Sequence, residues 1–262
     1  MSQLIDLRVD SGVATLALNR PEKRNAINDA TRAQLVEALE QVARDSAIRS
    51  LVITGNGAAF CAGGDISGMR ERMQAPAGEI GFNGWKRQQQ VHHAVSLLYN
   101  MAKPTIAAVN GAASGLGADL ALSCDFVMAA ETATLAWSYI HRGLVPDGGG
   151  LYFLPRRVGL PLAKELIFSG RSVAAPEALR LGIVDRICKP DVLVADAQSW
   201  AAELGARSPT ALALAKSILN QSSELTAEQV FGLGSMAQAV CYASSEHRDA
   251  VNAFLNKGAP KA

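Results

Sequence analysis

Two glycine-rich stretches hold the residues of this chain best suited to chemistry. They are Phe60-Cys61-Ala62-Gly63-Gly64-Asp65-Ile66 and Asn110-Gly111-Ala112-Ala113-Ser114-Gly115-Leu116-Gly117-Ala118-Asp119-Leu120. Each follows an apolar run that reads as a buried strand, Leu51-Val52-Ile53-Thr54 for the first and Thr105-Ile106-Ala107-Ala108-Val109 for the second. Each then runs into a helix. A strand, a glycine turn and a helix start leave backbone N–H groups free where an anion can sit. Two such places with acidic side chains nearby suggest a site that stabilises an oxyanion. Cys61, inside the first stretch, reads as a small buried hydrophobe, because no histidine stands near it in sequence.

The elements that must position these stretches follow from periodicity. Leu4 to Val9 and Ala14 to Leu18 form a hairpin around Asp10-Ser11-Gly12. After a polar loop, Asn28 or Asp29 caps a helix through about Arg44, with Leu35, Val36, Leu39 and Val42 on one face. Ser67 to Asn83, with Pro76, Gly78 and Gly81, reads as a mobile lid over the site. A helix from about Trp85 to Met101 stops at Lys103-Pro104. Strands are expected at Phe126 to Ala129 and Leu135 to Ile140, and a loop at His141 to Gly150. Beyond Pro161 the chain is mostly helical, with a short apolar run at Ile183 to Ile187. Amphipathic helices lie near Val192–Leu204, Pro209–Asn220, Ala227–Ala243 and Glu246–Asn256. Strands alternating with helices and then helices alone imply an α/β core with a helical C-terminal part. The expected division is 1–195 and 196–262.

Composition narrows the function classes. A chain of 262 residues with 49% apolar residues buries a large core. A net charge of +1 gives no footprint for nucleic acid or an anionic membrane. No basic segment leads into an apolar one at the N-terminus, so no secretory signal is read there. No window has the length and composition of a spanning helix. Cys61, Cys124, Cys188 and Cys241 are far apart, which argues against a metal site or a disulfide framework and fits a cytoplasmic setting.

The chain resembles the enoyl-coenzyme A hydratase/isomerase family, the crotonase superfamily, along essentially its whole length. The resemblance rests on Leu18-Asn19-Arg20-Pro21 with Asn25-Ala26, on Phe60 to Asp65, and on Ala108-Val109-Asn110-Gly111 with its glycine turn. Cys124-Asp125 and Gly143-Leu144-Val145-Pro146-Asp147 with three glycines add to it. It implies a spiral of ββα units and C-terminal helices that build a homotrimer or a dimer of trimers. It implies acyl-CoA thioesters as substrates, with no metal and no cofactor beyond the coenzyme A of the substrate. It puts the oxyanion-hole amides at Gly64 and Leu116, the latter at a helix start whose positive end adds to the hole. It also implies coenzyme A contacts at Arg24, Ala26, Ala62, Asp65 and Ile66, with Phe254 and Lys257 reaching a neighbouring subunit's ligand.

The resemblance turns the question to the acids. Asp119 stands three residues after Leu116, about one helical turn along and on the donor's side. Tyr139 occupies the place where hydratases carry their second glutamate, and an unperturbed phenol near pKa 10 is a poor substitute. Asp147 matches the acid of dienoyl-CoA isomerases and of the ring-opening isomerases of phenylacetate breakdown. Asp119 and Asp147 therefore suggest a proton shuttle across an enolate, which favours a double-bond isomerase, with an enoyl-CoA hydratase as the alternative. Tyr139, Trp137 and Trp85 are expected to line the acyl pocket. Two further classes stay open: a Clp-like serine peptidase using Ser114 and His141, and a non-catalytic acyl-CoA binder. A dinucleotide site is disfavoured, because Gly115 and Gly117 lack the third glycine.

Overall fold

The first hairpin forms one edge of the fold. β1 (Ile5–Asp10) and β2 (Val13–Leu18) pair antiparallel. Ser11 and Gly12 join them at φ 49° and 81°, the positive φ values of a two-residue turn whose twist matches its strands. The computed structural model describes residues 3–257, with the side chains of 69–71 and 257 outside the description. α1 (Asp29–Arg44) starts at Asn28, whose side chain accepts from the Thr31 amide, and buries Leu35, Leu39 and Val42.

A strand–strand–helix unit then recurs. β3 (Ser50–Gly55) leads to β4 (Ala59–Cys61), α2 (Ser67–Arg72) and α3 (Ala77–Tyr99). β5 (Thr105–Val109) leads to β6 (Ala112–Ser114) and α4 (Leu116–Leu122). β7 (Phe126–Ala130) leads to β8 (Thr134–Ala136), a 3-10 turn at Ser138–Arg142 and α5 (Gly150–Val158). α6 (Leu160–Ser169), β9 (Ser172–Ala174), α7 (Ala175–Arg180), β10 (Arg186–Cys188) and α8 (Leu193–Gly205) follow. α9 (Pro209–Leu219), α10 (Ala227–Ala243) and α11 (Ser245–Lys257) end the described chain.

The long strand of each unit joins a six-stranded sheet of order β1-β2-β3-β5-β7-β10, and the short one joins a four-stranded sheet of order β4-β6-β8-β9. All pairings are parallel except β1 with β2 and β8 with β9. The chain therefore climbs as a spiral of ββα units. The inner strands β3, β5 and β7 have apolar middles because both faces are covered: Leu51, Val52, Ile53 and Ile106 to Val109 are fully buried. β4, β6 and β8 run parallel and end at the same side of the molecule, so the glycine turns after β4 and β6 meet there.

Two expectations change. The stretch read as a lid is helical from Ser67 to Arg72, and α3 begins at Ala77 rather than near Trp85. Gly78, Gly81 and Gly84 lie on this helix with no atom within 4 Å of a would-be Cβ. Each such glycine costs about 1 kcal/mol against alanine, and the helix persists because Val91, Ala94, Val95 and Leu98 anchor its other half in the core. The strand expected over Leu135 to Ile140 is only Thr134–Ala136, and a 3-10 turn follows. α8 packs on the large sheet through Leu193, Ala197 and Ala201, and Gln198 reaches Thr15 of β2. α9 and α10, by contrast, bury no residue. Among the described residues no helix is long and apolar enough to cross a membrane.

Candidate active site

The site starts from two backbone turns that must lie very close together. Gly63 has φ 94°, and a Cβ on it would stand 2.7 Å from the Ser114 carbonyl oxygen. A Cβ on Gly117 would stand 2.2 Å from the Cys61 carbonyl oxygen. Only glycines permit this approach and, at Gly63, this backbone conformation. The Ile27 amide donates to Gly63 O at 2.8 Å and the Asp65 amide to Ile27 O at 2.9 Å. These bonds flank Gly64, so its own N–H points to the opposite side, into a cavity of about 510 Å³ whose wall includes Gly64 and Leu116. Leu116 opens α4, where an amide has no intrahelical acceptor. Among the described residues neither amide donates a hydrogen bond. The structure thus brings the two expected oxyanion donors to one cavity.

The two aspartates separate. Asp147 lies on the cavity wall and is half-buried. Burial pushes its carboxyl above the usual aspartate range, while its own backbone amide, His92 and Arg87 pull it back. His92 Nε2 lies 3.1 Å from the Asp147 carbonyl oxygen. The other carboxylates of the wall are paired: Asp29 with Arg32 at 2.9 Å and Asp65 with Arg20 at 3.0 Å. Among the described residues Asp147 forms no ion pair. Burial works against the Asp65 carboxylate as well, but hydrogen bonds from Arg20 and Ser67 outweigh it and lower the pKa.

Asp119 is fully buried and is absent from the cavity wall. Trp137 Nε1 donates to its Oδ1 at 3.0 Å and Tyr139 OH to its Oδ2 at 2.7 Å. Burial raises its pKa from 3.8 to about 7, against the lowering effect of Tyr139 and Trp137. Of the two aspartates expected to shuttle the proton, only Asp147 lines the cavity; two aromatic side chains close over Asp119. Tyr139 lies on the wall as expected, and burial and the neighbouring Asp119 push its phenol far up, so it stays protonated.

The other aromatics expected in the acyl pocket, Trp137 and Trp85, lie off the cavity wall. Trp137 is fully buried beneath the wall with its indole N–H committed to Asp119. Trp85 is 60% exposed, stacks on Phe82 and is outside the wall, because α3 turns that face outward. Ala62, Asp65 and Ile66 line the cavity. Arg24 and Ala26 sit on the adjoining loop, outside the wall. The Arg24 carbonyl accepts from the Ala62 amide and the Ala26 carbonyl from Arg20. Phe254 is exposed on α11, and the Lys257 side chain lies outside the described residues.

Sequence reasoning assigned no structural role to three contributors. Asn25 is buried at φ 56° and binds the Asn56 and Ala59 carbonyls through its amide nitrogen, which shapes the loop before Ala26. Arg87 and His92 come from α3, and no local signal tied them to Asp147, some 55 residues on. The serine peptidase geometry is absent: Ser114 Oγ pairs with Ser138 Oγ at 2.8 Å and His141 Nε2 lies 3.3 Å from Gly170 O. Cys61 is buried, bonds the Asn25 carbonyl, and is pushed by burial to about 12, which leaves it a packed thiol.

Similarity to known proteins follows this geometry. The model of the family described as Enoyl-CoA hydratase/isomerase matches residues 8–261. A 1,2-epoxyphenylacetyl-CoA isomerase of Escherichia coli strain K12 is 36% identical over 261 residues, covering 100% of this chain and 98% of that protein. A 2,3-dehydroadipyl-CoA hydratase of the same organism is 37% identical, covering 99% and 98%. The solved structure of an enoyl-CoA hydratase from Polaromonas sp. JS666 superimposes with a TM-score of 0.90 at 35% identity over 98% of both chains.

Proposed function

Since the chain belongs to the enoyl-CoA hydratase/isomerase family, we propose that it isomerises an unsaturated acyl-CoA, using Asp147 as the proton carrier. The thioester oxygen accepts from the Gly64 and Leu116 amides. Coenzyme A runs along Arg24 and Ala26 to Ala62, Asp65 and Ile66. In a 3-enoyl thioester, Asp147 takes a proton from C2. The electrons pass to the thioester oxygen, where the two amides hold the charge, and losing either donor typically costs about 3 to 4 kcal/mol of barrier. The double bond then forms between C2 and C3 as Asp147 returns the proton to C4. A dienoyl thioester extends the same shift by two carbons. No water is added.

One observation carries the preference for isomerisation. Asp147 is the one carboxylate of the described wall without an arginine partner, and the place where a hydratase holds its second acid is filled by Tyr139. A single acid suits taking and returning one proton. Two acids acting together suit water addition. The similarity to a named isomerase supports this reading, and the similarity to a named hydratase supports hydration of a 2-enoyl-CoA as the second reading.

The test is a panel of saturated, 2-enoyl, 3-enoyl and dienoyl thioesters incubated in deuterated water. Deuterium uptake with transposition of the double bond and no hydroxyacyl product is expected. A hydroxyacyl product overturns the reading in favour of the hydratase, and binding without any exchange in favour of a non-catalytic binder. The quaternary proposal is a homotrimer or a dimer of trimers built by α9 to α11. Their exposed Leu219, Phe231, Met236, Val240 and Phe254 support it, since helices with no buried residue need a partner surface.

A further inference from the structure

The Asp119 carboxyl is the point on which three parts of the site converge. It projects from α4, whose first residue supplies the Leu116 amide. Tyr139, which lines the cavity, ends on its Oδ2. The turn after Asp147 passes directly against it: a Cβ on Gly148 would lie 2.7 Å from Oδ2, and one on Gly150 would lie 2.5 Å from Oδ1. Trp137, fully buried, completes the cage through Oδ1. No side chain could stand at 148 or 150 without displacing the carboxyl.

We infer that Asp119 is a positioning residue that ties Tyr139 and the Asp147 turn to the helix bearing the Leu116 amide. It touches no ligand. It sets where the proton carrier stands relative to the oxyanion donor, a distance on which proton transfer depends steeply. The inference rests on the reading of Asp147 as the proton carrier, and it makes a claim about Asp119 that can be separated from that reading. A positioning carboxyl needs shape and hydrogen bonds, whereas a proton carrier needs a titratable group. Asparagine tells the two apart. Its Oδ1 can accept from Trp137 Nε1 and its amide can donate to the Tyr139 oxygen, which accepts as readily as it donates. It cannot carry a proton between carbons.

The experiment compares Asp119→Ala, Asp119→Asn, Tyr139→Phe and Asp147→Asn. Steady-state deuterium exchange into 3-hexenoyl-CoA gives kcat and KM. Amide hydrogen exchange of the peptide spanning 146–150 reads the turn without any substrate. Asp119→Ala is expected to lower kcat by about 10-fold to 100-fold, as a misplacement near 1 Å does. Its KM should stay within about twofold, because the coenzyme A contacts are untouched. The 146–150 amides should exchange faster. Asp119→Asn should restore kcat and protection to within about threefold of the parent, and Tyr139→Phe should fall between the two. Equal loss of kcat in the alanine and asparagine variants would overturn the inference and make Asp119 a proton carrier. Unchanged protection of 146–150 in Asp119→Ala would overturn it whatever the activity. Full activity in Asp147→Asn would instead sink the proton-carrier reading, and the exchange data would still judge the tether.

Discussion

Asp119 also makes a prediction about stability that needs no substrate. Its carboxyl titrates at 3.8 in an exposed setting and at about 7 in the fold, first because burial penalises the charge. The folded state therefore holds the proton more tightly than the unfolded chain. The stabilising contribution is fully present below about pH 4 and is lost as pH rises through about 7. A factor of ten in proton affinity is worth about 1.4 kcal/mol, so the difference amounts to about 4 kcal/mol between the protonated and ionised limits. Asparagine has nearly the same shape and no charge at any of these pH values. Asp119→Asn should thus be within about 1 kcal/mol of the parent at pH 4.5 and should gain on it by up to about 4 kcal/mol by pH 8.5. The assay is urea unfolding of both proteins at fixed protein concentration across that range, which avoids the salt effects of guanidinium and holds any assembly constant. A difference independent of pH would refute the reasoning. So would a variant that loses ground as pH rises, which would mean that the Tyr139 and Trp137 donors stabilise the anion by more than burial penalises it.

Other outcomes follow from the same geometry. Asp147→Asn should abolish deuterium exchange while leaving thioester binding, measured by calorimetry, within a few-fold. In the parent the acid limb of kcat/KM should lie above the ordinary aspartate range near pH 3.9, because half-burial raises Asp147 and activity needs its base form. A limb at or below that value would contradict the burial argument. Gly63→Ala forces a Cβ to 2.7 Å from Ser114 O at φ 94°. It should destabilise by about 1 to 3 kcal/mol in thermal unfolding and lower kcat, since Gly64 moves with it. Arg20→Ala leaves Asp65, with 12% of its side chain exposed, without its partner. It should cost about 3 kcal/mol of stability and raise KM more than it lowers kcat, because the pair holds the Arg24–Ala26 loop against Ala62–Ile66.

Much of the fold could be read from the chain because its signals are local. The β3, β5 and β7 runs are continuously apolar, Asn28 is a capping residue next to a periodic face, and the C-terminal helices carry long apolar stripes. What stayed hidden depends on contacts distant in sequence. β4, β6 and β9 have three residues each, too few for a period, and are held by pairing within the small sheet, while β8, equally short, was legible only as a longer apolar run. The first half of α3 carries three glycines and reads as a loop, yet it is held by the anchored half that follows. The glycine turns were legible as places where backbone amides come free, and the family resemblance singled out Gly64 and Leu116 within them, which line one cavity. The fate of the two aspartates was not. The spacing put Asp119 one turn into α4, but nothing local to it says that Trp137 and Tyr139, 18 and 20 residues on, donate to its carboxyl. The residue at 139 therefore decides more than its own role. A carboxylate there would be repelled by Asp119 and would turn to the cavity as a second acid. A phenol instead donates to Asp119 and holds it off the wall, so that in the proposed reaction Asp147 acts as the single acid.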